Sequence, residues 1–391
     1  MSLLKIKRFF LTLALFSVPF QWGRHFWPSF SYVLGLPVDY LSPTIYVSDV
    51  LFFASFVFYL RAFSLKIDII SFLKKYWWIA LFLAGNIILA LSPKVAFLGC
   101  LKLFARIYLV FFLVRQEKKW ARKKLPLIIC FWLVAEVVLV VGQFVSQGSL
   151  GGLAYFLGER NFSVSTPGIA KIELGHQLFL RAYGSFSHPN SLAGFALLSL
   201  FLFPFKKMPR YISFLVLLAG LACLFFSFSR TAWFAGFFVL LWPKIKEGRK
   251  KTKLFWFLLF ALLAGFLLYL FPNPLALTER LTLAQASLAM FWRRPLLGTG
   301  WDNFFAALPF FWPFSQNSKI VLQPVHDLFL LIASQAGLAG LTLTGLILKK
   351  AIKKENEIWW LIVFLTGLTD HYWLTLNQNM NLVGIILGLA L

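Results

Sequence analysis

Two histidine-containing segments carry the residue types that acid–base chemistry requires. His326 precedes a long apolar run, and Asp370 and His371 follow another one. Because the pKa of a histidine lies near neutrality, His326 could act as a general base that takes a proton from a hydroxyl group. Asp370 could orient His326, hold an arginine or cap a bend. The structural alternative for His326 is a helix-capping or interfacial position.

Four arginines occupy positions suited to binding a phosphate group: Arg181, Arg230, Arg280 and Arg294. The planar guanidinium fork matches phosphate oxygens with two parallel hydrogen bonds. Arg181 precedes the predicted start of a helix, which Asn190 or Ser191 can cap. Free backbone N–H groups at this helix start also favour anions. The alternative is that these arginines bind backbone carbonyls at helix ends or extend to the membrane interface. His188, in the turn after Arg181, is interpreted as structural.

Potential metal ligands are present but dispersed along the chain: Asp302, His326, Asp327, Asp370 and His371. Sites with oxygen ligands for Mg²⁺ or Ca²⁺ normally need more closely clustered carboxylates. The three cysteines form neither a zinc-binding spacing nor a disulfide framework. The sequence therefore predicts no metal ion and no cofactor.

The composition places these residues in a membrane protein. The 391 residues are 60% hydrophobic and 13% charged, against ~45–50% apolar and ~25% charged in soluble domains. This excludes a water-soluble enzyme and a DNA-binding protein, so the partner is the lipid bilayer and not nucleic acid. Windows of ~20 apolar residues predict about twelve transmembrane helices. The predicted fold class is all-α and polytopic, with one integral membrane domain over residues 1–391.

Basic residues orient this predicted topology. They recur in every second loop, as the positive-inside bias requires if both termini are cytoplasmic. Of the 26 residues assigned to the inner side, 20 are lysine, whereas 7 of the 10 assigned to the outer side are arginine. This bias favours anion binding outside. Two long segments, 146–189 and 273–327, face outward in this topology. The second contains a predicted amphipathic surface helix that begins near Thr278 and presents Leu281 and Leu288 on one face.

Two charged residues are predicted to lie near the middle of the membrane. Arg106 and Glu136 each follow the start of a predicted span by 11 residues, which places them ~16 Å deep at ~1.5 Å per residue. Isolated ions at this depth are costly. We therefore expect Arg106 and Glu136 to form a structural ion pair, which is favoured over a proton relay.

Five segments together resemble the superfamily of O-antigen ligases and O-antigen polymerases. The matching stretches are Gly184-Ser-Phe-Ser-His-Pro-Asn-Ser-Leu-Ala193, Phe228-Ser-Arg-Thr-Ala-Trp233, Pro295-Leu-Leu-Gly-Thr-Gly-Trp-Asp-Asn-Phe304, Val325-His-Asp-Leu-Phe-Leu-Leu331 and Asp370-His-Tyr372. The resemblance covers residues 125–391 well and the first four predicted spans loosely. Two positions depart from the family pattern, Asp327 where asparagine is usual and Gln335 where glutamate is usual.

The resemblance implies a metal-independent glycosyltransferase of the membrane-embedded GT-C class in the bacterial cytoplasmic membrane. Its donor would be a glycan on undecaprenyl pyrophosphate at the outer face, and transfer would invert the anomeric centre. Arg181, Arg230 and Arg280, with Arg294, would bind the diphosphate. His326 would activate or orient the acceptor hydroxyl, supported by Asp370.

Three acceptors remain open: a lipid-linked glycan for a polymerase, a lipid core for a ligase, and a protein. From a different class, a polysaccharide flippase or another secondary transporter is the alternative function. A transporter is expected to place polar groups at the midplane of discontinuous helices. The notable polar groups of this sequence instead cluster at the predicted outer boundary. A structural membrane subunit would explain the apolar spans but not the arginine bias.

Overall fold

The computed structural model describes residues 3–63, 69–248, 274–313 and 320–391. The predicted span at 254–272 lies outside these residues. The chain is mostly helical, with helices α1 (Leu3–Ser17), α2 (Val47–Phe63), α3 (Ile69–Ile88), α4 (Pro93–Leu103), α5 (Leu109–Gln116), α6 (Lys118–Ser146), α7 (Pro189–Leu202), α8 (Arg210–Phe226), α9 (Arg230–Glu247), α10 (Pro274–Arg293), α11 (Phe304–Phe311), α12 (Leu328–Ala351), α13 (Glu357–Gly367), α14 (Tyr372–Thr375) and α15 (Asn377–Ala390).

Three helical stretches among the described residues are long and apolar enough to cross a membrane. They are Pro93–Gln116, which joins α4 to α5 through a π-helical turn, α6 and α12. Shorter apolar helices include α7, α8 and α13. The prediction of a helical membrane protein is therefore confirmed at this level. The count of about twelve spans and the GT-C-like arrangement stay predictions.

Short antiparallel strand pairs in the connecting segments accompany the helices of the predicted all-α fold. They pair β1 (Gly23–His25) with β4 (Thr44–Tyr46), β2 (Tyr32–Val33) with β3 (Leu36–Pro37), and β5 (Lys171–Leu174) with β6 (Gln177–Leu180). The last hairpin lies within the predicted outer segment 146–189. Its turn residues Gly175 and His176 both have positive φ angles, which suits a tight hairpin turn. Strands of two to four residues are too short to show an alternating apolar pattern within a mainly apolar sequence.

The chain divides into two compact units. Unit 1 contains Met1–Lys123, Glu279–Lys353 and Asp370–Leu391, and unit 2 contains Lys124–Thr278 and Lys354–Thr369. The prediction of one integral membrane domain stays a prediction. Within unit 1, α15 is buried along its whole length. Gly384 permits this packing, because a Cβ atom there would lie 2.8 Å from the Cβ atom of Val110 on α5.

The long helix α12 is interrupted at Gly337. This residue has φ 63° and ψ −161°, which breaks the helical hydrogen-bond ladder. The carbonyl of Ser334 accepts the N–H of Thr299 at 2.8 Å, and the carbonyl of Gln335 accepts the N–H of Gly300 at 3.0 Å. Carbonyls that the break would leave unsatisfied are thus paired with a neighbouring segment.

The same segment also satisfies the amide groups beyond the break. Leu338 and Ala339 donate their N–H groups to the carbonyls of Pro295 and Leu296, at 2.7 and 3.1 Å. Irregular backbone in a membrane helix requires such replacement partners. The glycine-rich stretch 295–300 therefore supplies the hydrogen-bond partners that the backbone of α12 lacks at its interruption.

The predicted surface helix exists as α10, but it is longer than expected. It begins at Pro274, so Thr278 lies inside the helix and does not cap it, and it ends at Arg293. Proline at the first helical position removes an N–H group that has no partner there in any case. The early start was missed because the sequence offers both a proline and a threonine as start signals.

Helix α10 is apolar on two faces. Leu283 and Met290 are fully buried against the core that surrounds α11. Leu281 and Leu288, on the face predicted to be apolar, are 56% and 42% exposed. One apolar face therefore packs inside unit 1, and the other is available for a lipid interface, which stays a prediction.

The predicted ion pair between Arg106 and Glu136 is corrected by the structure. In unit 1, Arg106 donates from Nη2 to the carbonyl of Thr44 at 2.9 Å and lies 3.5 Å from Oδ2 of Asp49. In unit 2, Glu136 accepts the N–H of Ser185 at 2.9 Å and its hydroxyl at 2.5 Å. Depth along a helix gives the height of a charge but does not identify the neighbouring segment, so each residue has a partner that the arithmetic did not predict.

Candidate active site

Asp327 positions the segment that carries His326. Its side chain caps α12, with Oδ1 accepting the N–H of Leu330 at 2.7 Å. An N-terminal cap satisfies one of the free amides at a helix start and fixes the entry of the chain. The capping role considered for His326 thus belongs to Asp327, which explains how aspartate serves at this position.

His326 lies beside a buried carboxylate in unit 1. Its Nδ1 atom is 3.9 Å from Oδ1 of Asp370, and its Nε2 atom is 3.1 Å from Oε1 of Gln323. Nδ1 is buried and has no hydrogen-bond partner among the described residues. A separation of 3.9 Å exceeds a hydrogen bond, so the contact with Asp370 is electrostatic. Nε2, next to the exposed Gln323 side chain, is the nitrogen that a substrate can approach.

His371 completes the cluster from the turn between α13 and α14. Asp370 accepts the backbone N–H of His371 at 2.8 Å, and His371 Nδ1 lies 2.8 Å from the hydroxyl of Thr375. The rings of His326 and His371 are 5.4 Å apart. The pKa of His371 is lowered to about 4, mainly by burial; the charge of Asp370 opposes this shift, and the charges of His326 and Arg280 add to it. His371 is therefore neutral at neutral pH.

Stability should fall as the pH decreases from about 6.5 to about 4. The pKa of His371 is about 4 in the folded protein against an ordinary value of 6.5, so in this range the unfolded state binds a proton that the folded state does not. The contribution is complete above pH 6.5. We expect His371→Asn to reduce the difference between melting temperatures at pH 7.5 and pH 5 in detergent. An unchanged difference in the variant would exclude His371 as its source.

The cluster also has the composition of a three-ligand metal site. Ligand atoms of His326, Asp370 and His371 lie within 4.8 Å of one another. Among the described residues, Asp302 and Asp327 do not belong to this group. The expectation of metal-independent chemistry therefore stays a prediction that a chelation experiment must test.

Arg181 and Arg230 lie at opposite sides of one turn in unit 2. Arg181 donates from Nε to the carbonyl of Ser227 at 2.8 Å and from Nη2 to Oδ1 of Asn190 at 2.5 Å. Arg230 is the first residue of α9, which begins three residues after Ser227. Phe228, between them, has a backbone φ angle of 48°, which is strained for a residue other than glycine. A strained turn and a helix N-terminus thus hold these two guanidinium groups.

His188 has the structural role expected of it. Its side chain caps α7, with Nδ1 accepting the N–H of Asn190 at 3.2 Å. Asn190 or Ser191 was the predicted cap, and this assignment is wrong. Proline at position 189 places His188 one residue before the helix, where its ring nitrogen reaches the free amide.

Arg280 and Arg294 belong to unit 1 and have different surroundings. Arg280 is exposed on α10, and its charge affects the pKa of His371, so it acts within electrostatic range of the cluster. Arg294 donates from Nη1 to the carbonyl of Leu89 at 2.6 Å. Arg294 therefore has the structural role considered above for the arginines, in which the side chain binds a backbone carbonyl just after a helix end. Diphosphate binding by either residue stays a prediction.

Comparison with known families finds a match over part of the chain. Residues 214–345 match the family model described as O-antigen ligase. The resemblance to the O-antigen ligase superfamily is confirmed. The matched range contains Arg230, Arg280, Arg294 and His326, and excludes Arg181 and Asp370. No curated protein matches the chain.

The O-antigen ligase match and the apolar helices together support a membrane enzyme that transfers glycans. They imply substrates that carry glycans and lipids. His371, Thr375 and Gln323 were not assigned to the site from sequence. The pair Asp370-His371 was the available signal for His371, because a residue adjacent to a candidate carboxylate shares its location.

Proposed function

We propose that this protein is an inverting glycosyltransferase of the outer face of the bacterial cytoplasmic membrane. It moves a glycan from undecaprenyl pyrophosphate to an acceptor hydroxyl, without a metal ion. The observation that supports the proposal is the position of His326, whose Nδ1 faces buried Asp370 at 3.9 Å and whose Nε2 contacts the exposed side chain of Gln323. A base supported by a buried carboxylate suits the activation of a hydroxyl group.

The reaction requires one proton transfer and one substitution. In the tautomer that carries its proton on Nδ1, His326 exchanges the Gln323 contact at Nε2 for the acceptor hydroxyl. Nε2 then takes the hydroxyl proton as the hydroxyl oxygen attacks the anomeric carbon. The bond from that carbon to the phosphate oxygen breaks, and undecaprenyl pyrophosphate departs with both electrons. Attack opposite the leaving group inverts the anomeric centre. The negative charge of Asp370 stabilises the imidazolium that forms.

Arginines stabilise the charge of the departing diphosphate in this proposal. Arg280 acts within electrostatic range of the His326 cluster in unit 1. Arg181, Arg230 and Arg294 keep the diphosphate-binding role predicted from the sequence. Guanidinium groups neutralise a diphosphate without a protonated acid or a metal ion, because pyrophosphate is already a good leaving group. The acceptor is a lipid-linked glycan, a lipid core or a protein.

One observation favours the alternative of a flippase or another secondary transporter. Helix α12 is discontinuous at Gly337, and transporters bind their substrates at such interruptions. Backbone groups at this interruption are bonded to residues 295–300 and so are not free to coordinate an ion. Purified protein mixed with lipid-linked glycan separates the functions, because a transferase yields a new glycosidic product in detergent and a transporter yields none.

Arg230→Lys should lower the rate of glycan transfer by roughly 10- to 100-fold. This is the loss expected when hydrogen-bond donors that stabilise the charge of the diphosphate in the transition state are removed. Lysine keeps the positive charge but loses the bidentate fork. Arg210→Lys is the matched control, since Arg210 is likewise the first residue of a helix in unit 2. Initial rates are measured by mass spectrometry of the product. Equal rates for the two variants would remove Arg230 from diphosphate binding.

Chelation tests the metal-free mechanism. We expect EDTA to leave the transfer rate unchanged, because arginines replace the charge that a divalent ion would supply. Loss of activity that Mg²⁺, Mn²⁺ or Zn²⁺ restores would assign a metal to the group formed by His326, Asp370 and His371.

A further inference from the structure

Unit 1 contains a small pocket whose polar groups have no part in the transfer step. Lys102, Asp302 and Gln335 line it, together with Tyr40, Trp301 and Thr375. These residues come from five separate stretches of the chain. Their convergence was not visible from the sequence, where Asp302 was only one of several dispersed acidic residues.

An ion pair with free hydrogen-bonding capacity forms one side of the pocket. Nζ of Lys102 lies 2.6 Å from Oδ2 of Asp302 and donates to the carbonyl of Tyr40 at 2.7 Å. Each side chain is 20% exposed. Among the described residues, Oδ1 of Asp302 accepts no hydrogen bond. An ammonium has three N–H groups, so Lys102 also retains a donor beyond these two contacts.

Gln335 supplies a buried donor to the same pocket. The residue is 4% exposed, and its Oε1 atom accepts the N–H of Asp302 at 3.2 Å. Within the part of the chain that the structure describes, its Nε2 amide has no acceptor. Nε2 is not among the fully buried unpaired atoms of the described residues, so it can donate to a ligand hydroxyl in the pocket.

The backbone at Asp302 is strained in a way that fixes this arrangement. Asp302 has φ 59°, a left-handed conformation that costs energy for residues other than glycine. Gly99 on α4 permits the close approach, because a Cβ atom there would lie 2.9 Å from Cβ of Asp302. Such strain persists only where the surrounding structure determines it, and it concentrates at ligand sites.

The charges of the pocket select the class of ligand. Asp302 disfavours an anion and Lys102 disfavours a free cation, whereas a neutral polyhydroxyl compound uses both. Its hydroxyl groups donate to the carboxylate and accept from the ammonium and the amide. Trp301 and Tyr40 add aromatic surface.

We propose that this pocket, with a cavity volume of about 20 Å³, is a carbohydrate subsite that receives a hydroxyl group of a sugar ring of the acceptor glycan, while the ring itself lies at the pocket mouth. The assignment to the acceptor rests on the proposed function. Thr375 lines the pocket and hydrogen-bonds to Nδ1 of His371 at 2.8 Å. The rings of Tyr40 and His371 are 5.7 Å apart. The pocket therefore adjoins the cluster that activates the acceptor hydroxyl.

Saturation-transfer NMR tests the subsite without requiring catalysis. The full chain is purified in detergent and titrated with the oligosaccharide released by mild acid from the lipid-linked glycan of its native host. Asp302→Asn removes the charge partner of Lys102, and Gln335→Glu keeps the acceptor for the N–H of Asp302 while removing the Nε2 donor. Each variant should weaken binding by roughly tenfold or more, as for other hydrogen bonds to charged or buried groups.

Exposed residues of the same types provide matched controls. Glu173→Gln and Gln177→Glu, in the hairpin β5–β6, should bind like the wild type. Should Asp302→Asn fail to give monodisperse protein, Gln335→Glu carries the test alone. Wild-type protein that does not bind the oligosaccharide, or folded pocket variants that bind it equally well, would overturn the subsite. Binding that depends on these residues, without any transfer product, would retain the subsite and reject the transferase.

Discussion

Replacement of His326 by alanine is expected to abolish glycan transfer while the protein remains folded. The side chain is 16% exposed, and among the described residues its removal breaks the one hydrogen bond with the exposed Gln323. A general base contributes typically ~10²–10⁴-fold to a rate, and we expect a loss in that range. Mass analysis of the product formed from lipid-linked glycan measures it.

Two further variants make this result specific. His176→Asn replaces an exposed histidine at φ 66°, a conformation that asparagine tolerates, and should retain wild-type activity. Asp370→Asn should reduce the rate less than His326→Ala, because it removes the electrostatic support and keeps the base. Normal transfer by folded His326→Ala protein would exclude His326 from the mechanism.

Gly298→Ala and Gly337→Ala are each expected to prevent the protein from folding. Both glycines have positive φ angles. A Cβ atom at Gly298 would lie 2.4 Å from the carbonyl carbon of Gln335, and one at Gly337 would lie 2.4 Å from that of Leu296. These are backbone atoms that no side-chain rotation can move. A loss above ~4 kcal/mol is expected from such backbone clashes and strain, seen as aggregation in size-exclusion chromatography.

Gly345→Ala is the matched control in the same helix. Nothing lies within 4 Å of a Cβ atom at Gly345, and alanine is favoured over glycine in a helix by ~1 kcal/mol. This variant should fold at least as well as the wild type. Monodisperse protein from Gly298→Ala would show that the segment 295–300 does not seal the interruption of α12 as tightly as its hydrogen bonds indicate.

The candidate site illustrates what motif reasoning supplies and what it lacks. His326 and Asp370 were both selected from sequence, because residue type and position at the ends of apolar runs identify titratable groups near a membrane boundary. Their separation of 3.9 Å was only a possibility, because Asp370 had three open roles. The sequence did not identify His371 as a neighbour of His326 and Asp370. Its lowered pKa results mainly from burial, which sequence position does not reveal.

The wrong predictions share one physical cause. Arg106 was paired with Glu136 by depth, yet it contacts Thr44 and Asp49 of a segment that precedes it by about 60 residues. The cap of α7 was assigned to Asn190, yet the ring of His188 accepts its amide. In both cases several partners were chemically equivalent in the sequence. Local sequence propensity does not show which of several equivalent residues forms the hydrogen bond or ion pair, because the folded structure sets the distances between them.

Composition and chain order alone determined that this is a helical membrane protein, and they supplied the motifs to which its chemistry is assigned by proposal. Apolar runs must avoid water wherever they lie, so these properties do not depend on how the helices pack. The tertiary structure decided which distant residues meet: Asp370 beside His326, the segment 295–300 inside the interruption at Gly337, and Lys102 against Asp302. Such contacts arise from the close packing of particular helices, whose order the apolar pattern leaves open.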